Sequence, residues 1–193
     1  MSRKSALILA LALLAPQGGI AQEAVDGPGP NLVIEVAGAT SGTITIDLAQ
    51  DLAPNHVAQI TALAGEGAYD NVVFHRVIDG FMAQTGDVQY GKQGGDLSMA
   101  GLGGSSRPDL VAEFSDESFV RGTVGMARAA DPNSANSQFF IMFEPAPHLD
   151  GQYTVVGHVI SGMEVVDSLK KGDEAANGAV SEPDWMAKVT VQP

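Results

Sequence analysis

From Thr43 to Leu48 the chain alternates strictly, with Ile44, Ile46 and Leu48 on one side and Thr43, Thr45 and Asp47 on the other. Side chains of an extended strand point to opposite faces in turn, so the pattern predicts a strand with one buried face. Leu32–Val36 is rich in β-branched residues, and the short, small-residue link Ala37–Ser41 joins the two segments into a predicted hairpin. Six further segments read as strands: Val72–Val77, Phe81–Thr85, Thr123–Ala127, Gln138–Phe143, Thr154–Ile160 and Lys188–Val191. Two stretches carry helical spacing instead. Pro54–Ala64 has proline in its first turn, Val57, Ile60 and Ala64 on one side, and Gly65 and Gly67 beyond its end. The second opens on Ser161-x-x-Glu164, which predicts a capping box, and continues with Met163, Val166 and Leu169. Lys170 and Lys171 suit the negative end of its dipole, and Gly172 suits a left-handed cap. About eight strands and two separated helices do not alternate as βαβ units. They predict a mainly β fold, an eight-stranded antiparallel closed β-barrel capped by two α-helices.

The N-terminal pattern is different in kind. Arg3 and Lys4 precede the apolar run Ser5–Ala15, and Gly19-Ile20-Ala21 places small residues before Gln22. This predicts a secretory signal peptide over residues 1–21, cleaved before Gln22. The run is too short for a bilayer, which takes about 20 apolar residues, and Pro16 stops it. Residues 22–30 are rich in glycine and proline and read as a flexible lead-in. No second linker and no internal repeat interrupts the remainder, so 31–193 is expected to be one domain. The expected location is periplasmic, with no stable membrane span after processing.

Composition narrows the chemistry. Ten Lys and Arg face 23 Asp and Glu, a formal charge of −13, and such a surface repels a phosphate backbone rather than binding nucleic acid. There is no cysteine, which removes disulfides, thiolate metal sites and cysteine nucleophiles. The four histidines are scattered without metal-ligand spacing. Gly91–Gly104 lacks a phosphate-loop pattern, because Gly91-Lys92 is followed by Gln93, and it reads as a long surface loop. Ser168-x-x-Lys171 has the spacing of a Ser–Lys nucleophile without its companion motifs and reads as the end of the second helix.

Two segments stand out against this background. Within Tyr69–Asp87 an arginine, an apolar pair and a glutamine lie close together: Arg76, Phe81, Met82 and Gln84. In an extended strand Met82 and Gln84 share a side. Within Gly125–Phe143 a turn-rich loop, Asp131–Ser137, leads into an aromatic strand. Polar groups beside an apolar floor suit an extended peptide, whose side chain the floor holds while the polar groups take its backbone.

These segments resemble the cyclophilins, a family of peptidyl-prolyl cis–trans isomerases. Phe74, His75, Arg76, Phe81, Met82, Gln84, Gly86 and Asp87 are in register with the family's most diagnostic stretch. Ser137-Gln138-Phe139-Phe140-Ile141 and His148-Leu149-Asp150-Gly151, followed by Val156-Gly157, resemble two further motifs, and the match runs from Leu32 to Val191. The resemblance implies that Arg76 is the catalytic guanidinium, with Gln84 hydrogen-bonded beside it. It implies that Phe81, Met82, Phe140 and Leu149 line a proline pocket, and that Ala127, Arg128 and Gln138 border the groove for flanking residues. Tyr153 stands at a wall position that is often His in eukaryotic members. His148 stands where cyclosporin-binding members carry Trp, so weak cyclosporin binding is expected. Arg128 replaces a common Asn, and an Ala-Asp insertion lengthens the loop that follows. The implied enzyme is a monomer acting on X–Pro segments of exported polypeptides, with no cofactor and no metal. His75, with no evident carboxylate partner, reads as structural. The competing reading is a peptide-binding module that holds X–Pro segments, and a weaker rival is a small-molecule-binding barrel. Retention of Arg76 favours the enzyme, because binding alone needs no such donor.

Overall fold

The computed structural model describes residues 25–193. The leader expected over residues 1–21, and the first part of the lead-in, lie outside the described residues. Strands β1 (Asn31–Ala37) and β2 (Gly42–Leu48) form the expected hairpin, with Leu32 opposite Ile46 and Ile34 opposite Ile44. Helix α1 (Pro54–Gly65) follows, then β3 (Val72–Val73), β4 (Arg76–Ile78), β5 (Met82–Thr85), β6 (Thr123–Met126) and β7 (Phe139–Met142). A short 3₁₀ turn, Pro147–Leu149, precedes β8 (Val155–Ser161). Helix α2 (Met163–Ser168), a second 3₁₀ turn (Glu174–Ala176) and β9 (Trp185–Gln192) complete the chain. No helix among the described residues is long and apolar enough to cross a membrane.

The barrel expectation needs correction in number and in closure. The described residues form one nine-stranded sheet in the order β3-β9-β1-β2-β8-β6-β7-β5-β4. The extra strand comes from the run Val72–Val77, which changes partners halfway. Val73 pairs with Trp185 of β9, whereas Arg76 pairs with Gln84 of β5. The two outer strands of the curled sheet, β3 and β4, are therefore consecutive in the chain. They are joined through Phe74 and His75 rather than by a hydrogen-bonded ladder, so the sheet is not an eight-stranded closed barrel.

The second helix also starts differently from the sequence pattern. Ser161 belongs to β8, where it pairs with Thr45, and Gly162 precedes the helix with φ +88° and no side-chain cap. A Cβ on Gly162 would stand 2.1 Å from the Thr43 carbonyl oxygen, so this position takes only glycine. The ladder has claimed the serine that a capping box requires. The helix ends at Leu169, before Gly172. Helix α1 has no local cap either. Glu113, far along the chain, accepts from the Asn55 and His56 amides at 3.2 and 3.1 Å. Burial raises the Glu113 carboxyl, but hydrogen bonds from His56 and Asn55 outweigh it and hold the pKa below the usual carboxylate value.

The two faces of the sheet divide the apolar residues. Ile34, Ile44, Ile46, Val77, Ala83, Val124 and Ile141 pack with Val57, Ile60 and Leu63 of α1 into the main core. Full burial of each such side chain contributes about 1.5–3 kcal/mol. Alternation sends their neighbours the other way. Met82, Phe140, Met142 and Val155 gather with Phe119, Ala146 and Leu149 into a second, smaller cluster.

Candidate active site

The second cluster is the floor of a groove, and strand register builds it. Arg76 lies opposite Gln84, Gln84 opposite Phe140, and Phe140 opposite Gly125. Residues directly paired across antiparallel strands share a face, so these four form one row across β4, β5, β7 and β6. Ile78, Met82 and Met142 form a parallel row. The resulting pocket, about 200 Å³, is lined by Arg76, Phe81, Met82, Gln84, Ala127, Arg128, Phe140, Leu149 and Tyr153. Every one of them was expected there from the sequence. Phe140 stacks on Phe119 at 5.7 Å between centroids and meets the Tyr153 ring edge-on at 5.8 Å. Leu149 reaches the pocket from the 3₁₀ turn Pro147–Leu149. Its neighbour His148 is exposed and stacks on Phe81 at 5.9 Å, behind the pocket wall rather than among the lining residues.

A relay of hydrogen bonds sets the polar side of the groove. Asp87, fully buried, accepts from the amides of Gln89 and Tyr90 through one carboxylate oxygen and of Gly101 and Gly103 through the other. This pins the glycine-rich loop. The carbonyls of Gly101 and Gly103 in turn accept from Gln138 Nε2 at 3.0 and 2.7 Å. A carbonyl only accepts, so Gln138 must present Oε1 to Gln84, whose Nε2 lies 2.9 Å away. Gln84 Oε1 is then left facing Arg76 Nη1 at 3.2 Å. Each link fixes the orientation of the next amide.

Beside the first pocket lies a second, about 370 Å³, lined in part by Gln84, Ala127, Arg128, Gln138, Gly101 and Leu102. Arg128 stands between the two. Its guanidinium donates to the carbonyls of Ala129 and Gln152, at 2.9 and 3.0 Å, and covers the Tyr153 ring at 4.3 Å. Among the described residues neither Arg76 nor Arg128 has a carboxylate within ion-pair distance. Burial lowers the pKa of Arg76, against the influence of Tyr153, but an arginine stays charged. The groove therefore presents two uncompensated cations in a strongly acidic chain. His75 lies buried behind Arg76 against the Gly101 backbone. Burial, joined by the charge of Arg76, pushes its imidazole down to about 4 against the opposing pull of Asp87, so it is neutral.

Two contributors escaped the sequence analysis. Asp87 was seen as part of a motif, but not as the anchor of the loop. Asn177, 101 residues beyond Arg76, touches its guanidinium twice. Its only signal was the dipeptide Asn177-Gly178, a common turn former.

Comparison with known proteins agrees with this geometry. The family model for cyclophilin-type peptidyl-prolyl cis–trans isomerases matches residues 32–191. A protein of Brucella suis, named a probable peptidyl-prolyl cis–trans isomerase, is 53% identical over 191 residues, which covers 98% of this chain and 96% of that one. A peptidyl-prolyl cis–trans isomerase of Synechococcus elongatus is 40% identical over 134 residues, covering 68% of this chain and 85% of its own. Among solved structures, a cyclophilin of Hirschia baltica superposes with a TM-score of 0.69 at 26% identity, over 86% of this chain and 74% of that one. A Cryptosporidium parvum cyclophilin, crystallised in the presence of the dipeptide Ala-Pro, shares the fold at a TM-score of 0.71 and 24% identity, over 84% and 99% of the two chains. Family match, fold and the order of motifs along the strands coincide, and the chain belongs to the cyclophilin-type peptidyl-prolyl cis–trans isomerases.

Proposed function

We propose that this isomerase accelerates rotation about X–Pro bonds in exported polypeptides and so assists their folding, with Arg76 as the group that stabilises the twisted state. The observation that carries this reading is the position of the Arg76 guanidinium on the wall of a small apolar pocket, beside Gln84. Rotation about an amide crosses a barrier of about 18–20 kcal/mol because it breaks resonance. Unassisted X–Pro exchange takes tens to hundreds of seconds. When the bond twists, the prolyl nitrogen recovers its lone pair and becomes an acceptor. A fixed N–H donor aimed there binds the twisted state better than either planar isomer, and such differential binding lowers the barrier. Phe81, Met82, Phe140 and Leu149 hold the ring and exclude water, which strengthens that hydrogen bond. Gln138, Ala127 and Arg128 border the path of the flanking residues. No bond to the substrate forms, so neither nucleophile nor proton relay is required.

Export rests on the pattern of Met1–Ala21, which supports cleavage before Gln22 and a periplasmic monomer. The clients are X–Pro segments of unfolded chains, met as a chaperone meets them. His148, smaller and more polar than an indole, supports weak cyclosporin binding. Exchange NMR on a short X–Pro peptide tests the catalytic part. Arg76→Ala is expected to lower kcat/KM by about 10²–10³, the scale for losing one preorganised donor. Near-wild-type exchange in the folded variant would make the groove a binding module. Intact-mass measurement of the protein recovered from the periplasmic fraction tests export, with a chain beginning at Gln22 as the expected result.

A further inference from the structure

Arg76 is held from outside the groove by a residue that no family motif in the sequence pointed to. Its Nε donates to the Asn177 carbonyl at 3.0 Å, and its Nη2 donates to Asn177 Oδ1 at 3.1 Å. One residue thus grips two donors of the planar fork, as a carboxylate grips an arginine, but with two neutral oxygens. Gln84 takes a third donor, on Nη1. Of the five N–H groups of a guanidinium, this leaves one on each terminal nitrogen without an oxygen partner in the protein.

The backbone around Asn177 is arranged for this grip. Asn177 stands at φ +54° and ψ +36°, the left-handed region that asparagine tolerates better than most residues. It closes the 3₁₀ turn Glu174–Ala176, whose first amides are held by Asp173: its side chain accepts from Ala175 at 2.9 Å. The turn is stitched to the outer edge of β4 on either side of it. The Val77 amide donates to the Gly178 carbonyl at 2.8 Å, and the Gly172 amide donates to the Val77 carbonyl at 2.8 Å. Asn177 is therefore registered to the backbone that carries Arg76, as Gln84 is from the other side.

We infer that Asn177 is a positioning residue for the reaction: it orients the Arg76 guanidinium through two neutral acceptors, fixing the fork without cancelling its charge. The inference rests on Arg76 being the donor to the twisted bond. A carboxylate at the same place would hold the fork equally well but would neutralise it, and a neutralised guanidinium is a weaker partner for a developing lone pair. Neutral acceptors resolve that conflict.

Asn177→Gly separates the side-chain contact from the backbone one, because glycine keeps the left-handed turn and its carbonyl. We expect kcat for an X–Pro peptide to fall about three- to tenfold, the range for one hydrogen bond, while the peptide Kd stays within twofold of wild type. The Arg76 Nε–H resonance should exchange with water faster in the variant, a readout that a purely structural role elsewhere would not move. Asn177→Asp should also lower kcat, although both acceptors remain. In an Arg76→Ala background Asn177→Gly should cost nothing further, since the two residues act as one unit. Wild-type kcat in Asn177→Gly, with Arg76→Ala inactive, overturns this inference and leaves the role of Arg76 standing. An equal loss from Asn177→Gly with and without Arg76 overturns it too. Full activity of Arg76→Ala would overturn both readings together.

Discussion

Gly125 and Phe140 face each other across the β6–β7 ladder, and the ring of Phe140 occupies the space that a Gly125 side chain would take. A Cβ there would stand 2.6 Å from Phe140 Cζ and 2.6 Å from Phe119 Cε1. The missing side chain is what lets Phe140 lie back on Phe119 and leave the pocket open above it. Gly125→Ala is expected to push the Phe140 ring outward, raising KM for X–Pro peptides and destabilising the fold by about 1–3 kcal/mol, as overpacking does. Thermal melts and initial rates check both. An unchanged KM would mean that Phe119 moves instead.

Arg76→Lys separates charge from shape. A lysine ammonium keeps the positive charge, but as a single point it cannot span Gln84 on one side and two oxygens of Asn177 on the other. Activity is expected to stay within about tenfold of Arg76→Ala rather than of wild type, since most of the 10²–10³ from a preorganised donor depends on its aim. Recovery to half the wild-type kcat/KM would show that charge alone suffices.

His148 tests drug sensitivity without touching the catalytic row. It stacks on the outer side of Phe81 and does not line the proline pocket. His148→Trp adds aromatic surface worth about 1 kcal/mol and an indole donor worth about 0.5–1.5 kcal/mol. Cyclosporin affinity should rise about 10–100-fold, at tenfold per 1.4 kcal/mol, with kcat/KM little changed. Titration of both proteins with the drug checks this, and nanomolar inhibition of the natural chain would contradict it.

The buried imidazole behind Arg76 gives stability a specific pH dependence. His75 titrates at about 4 in the fold against 6.5 as its ordinary value. The unfolded chain therefore binds more protons between these values, so stability is complete above about pH 6.5 and is lost as pH falls toward 4. The loss amounts to about 3 kcal/mol. In His75→Gln, melts between pH 6.5 and 4.5 should show a flatter slope. The carboxylates held low by hydrogen bonds, such as Glu113, lose their contribution only below that window. Parallel slopes in the two proteins would remove His75 as the cause.

Local pattern made part of this molecule legible. The alternation of Thr43–Leu48 and the proline-led spacing of Pro54–Ala64 depend on near neighbours, and both elements form as expected. The motif residues on β5 and β7 were identifiable because each strand carries its own pattern. Features that depend on distant partners were not legible. The run Val72–Val77 is uniformly apolar at its start and shows no sign of the switch from β9 to β5. Ser161-x-x-Glu164 has the spacing of a capping box, but pairing with Thr45 takes the serine into a strand. Asn177 meets Arg76 only because a turn is laid along the edge of β4, and nothing within a few residues of either announces the contact.

The order of strands has a further consequence in time. β9, the latest strand along the chain, lies between β1, the earliest, and β3. During vectorial synthesis β1 can pair with β2 at once, but its other edge stays open until residues 185–192 have been made. Asn177 arrives nearly as late. A growing chain may thus carry Arg76, Gln84 and Phe140 in covalent order long before it carries them in working geometry. Activity switches on near the completion of the polypeptide, and a nascent isomerase cannot act on its own ten prolines while they are being laid down.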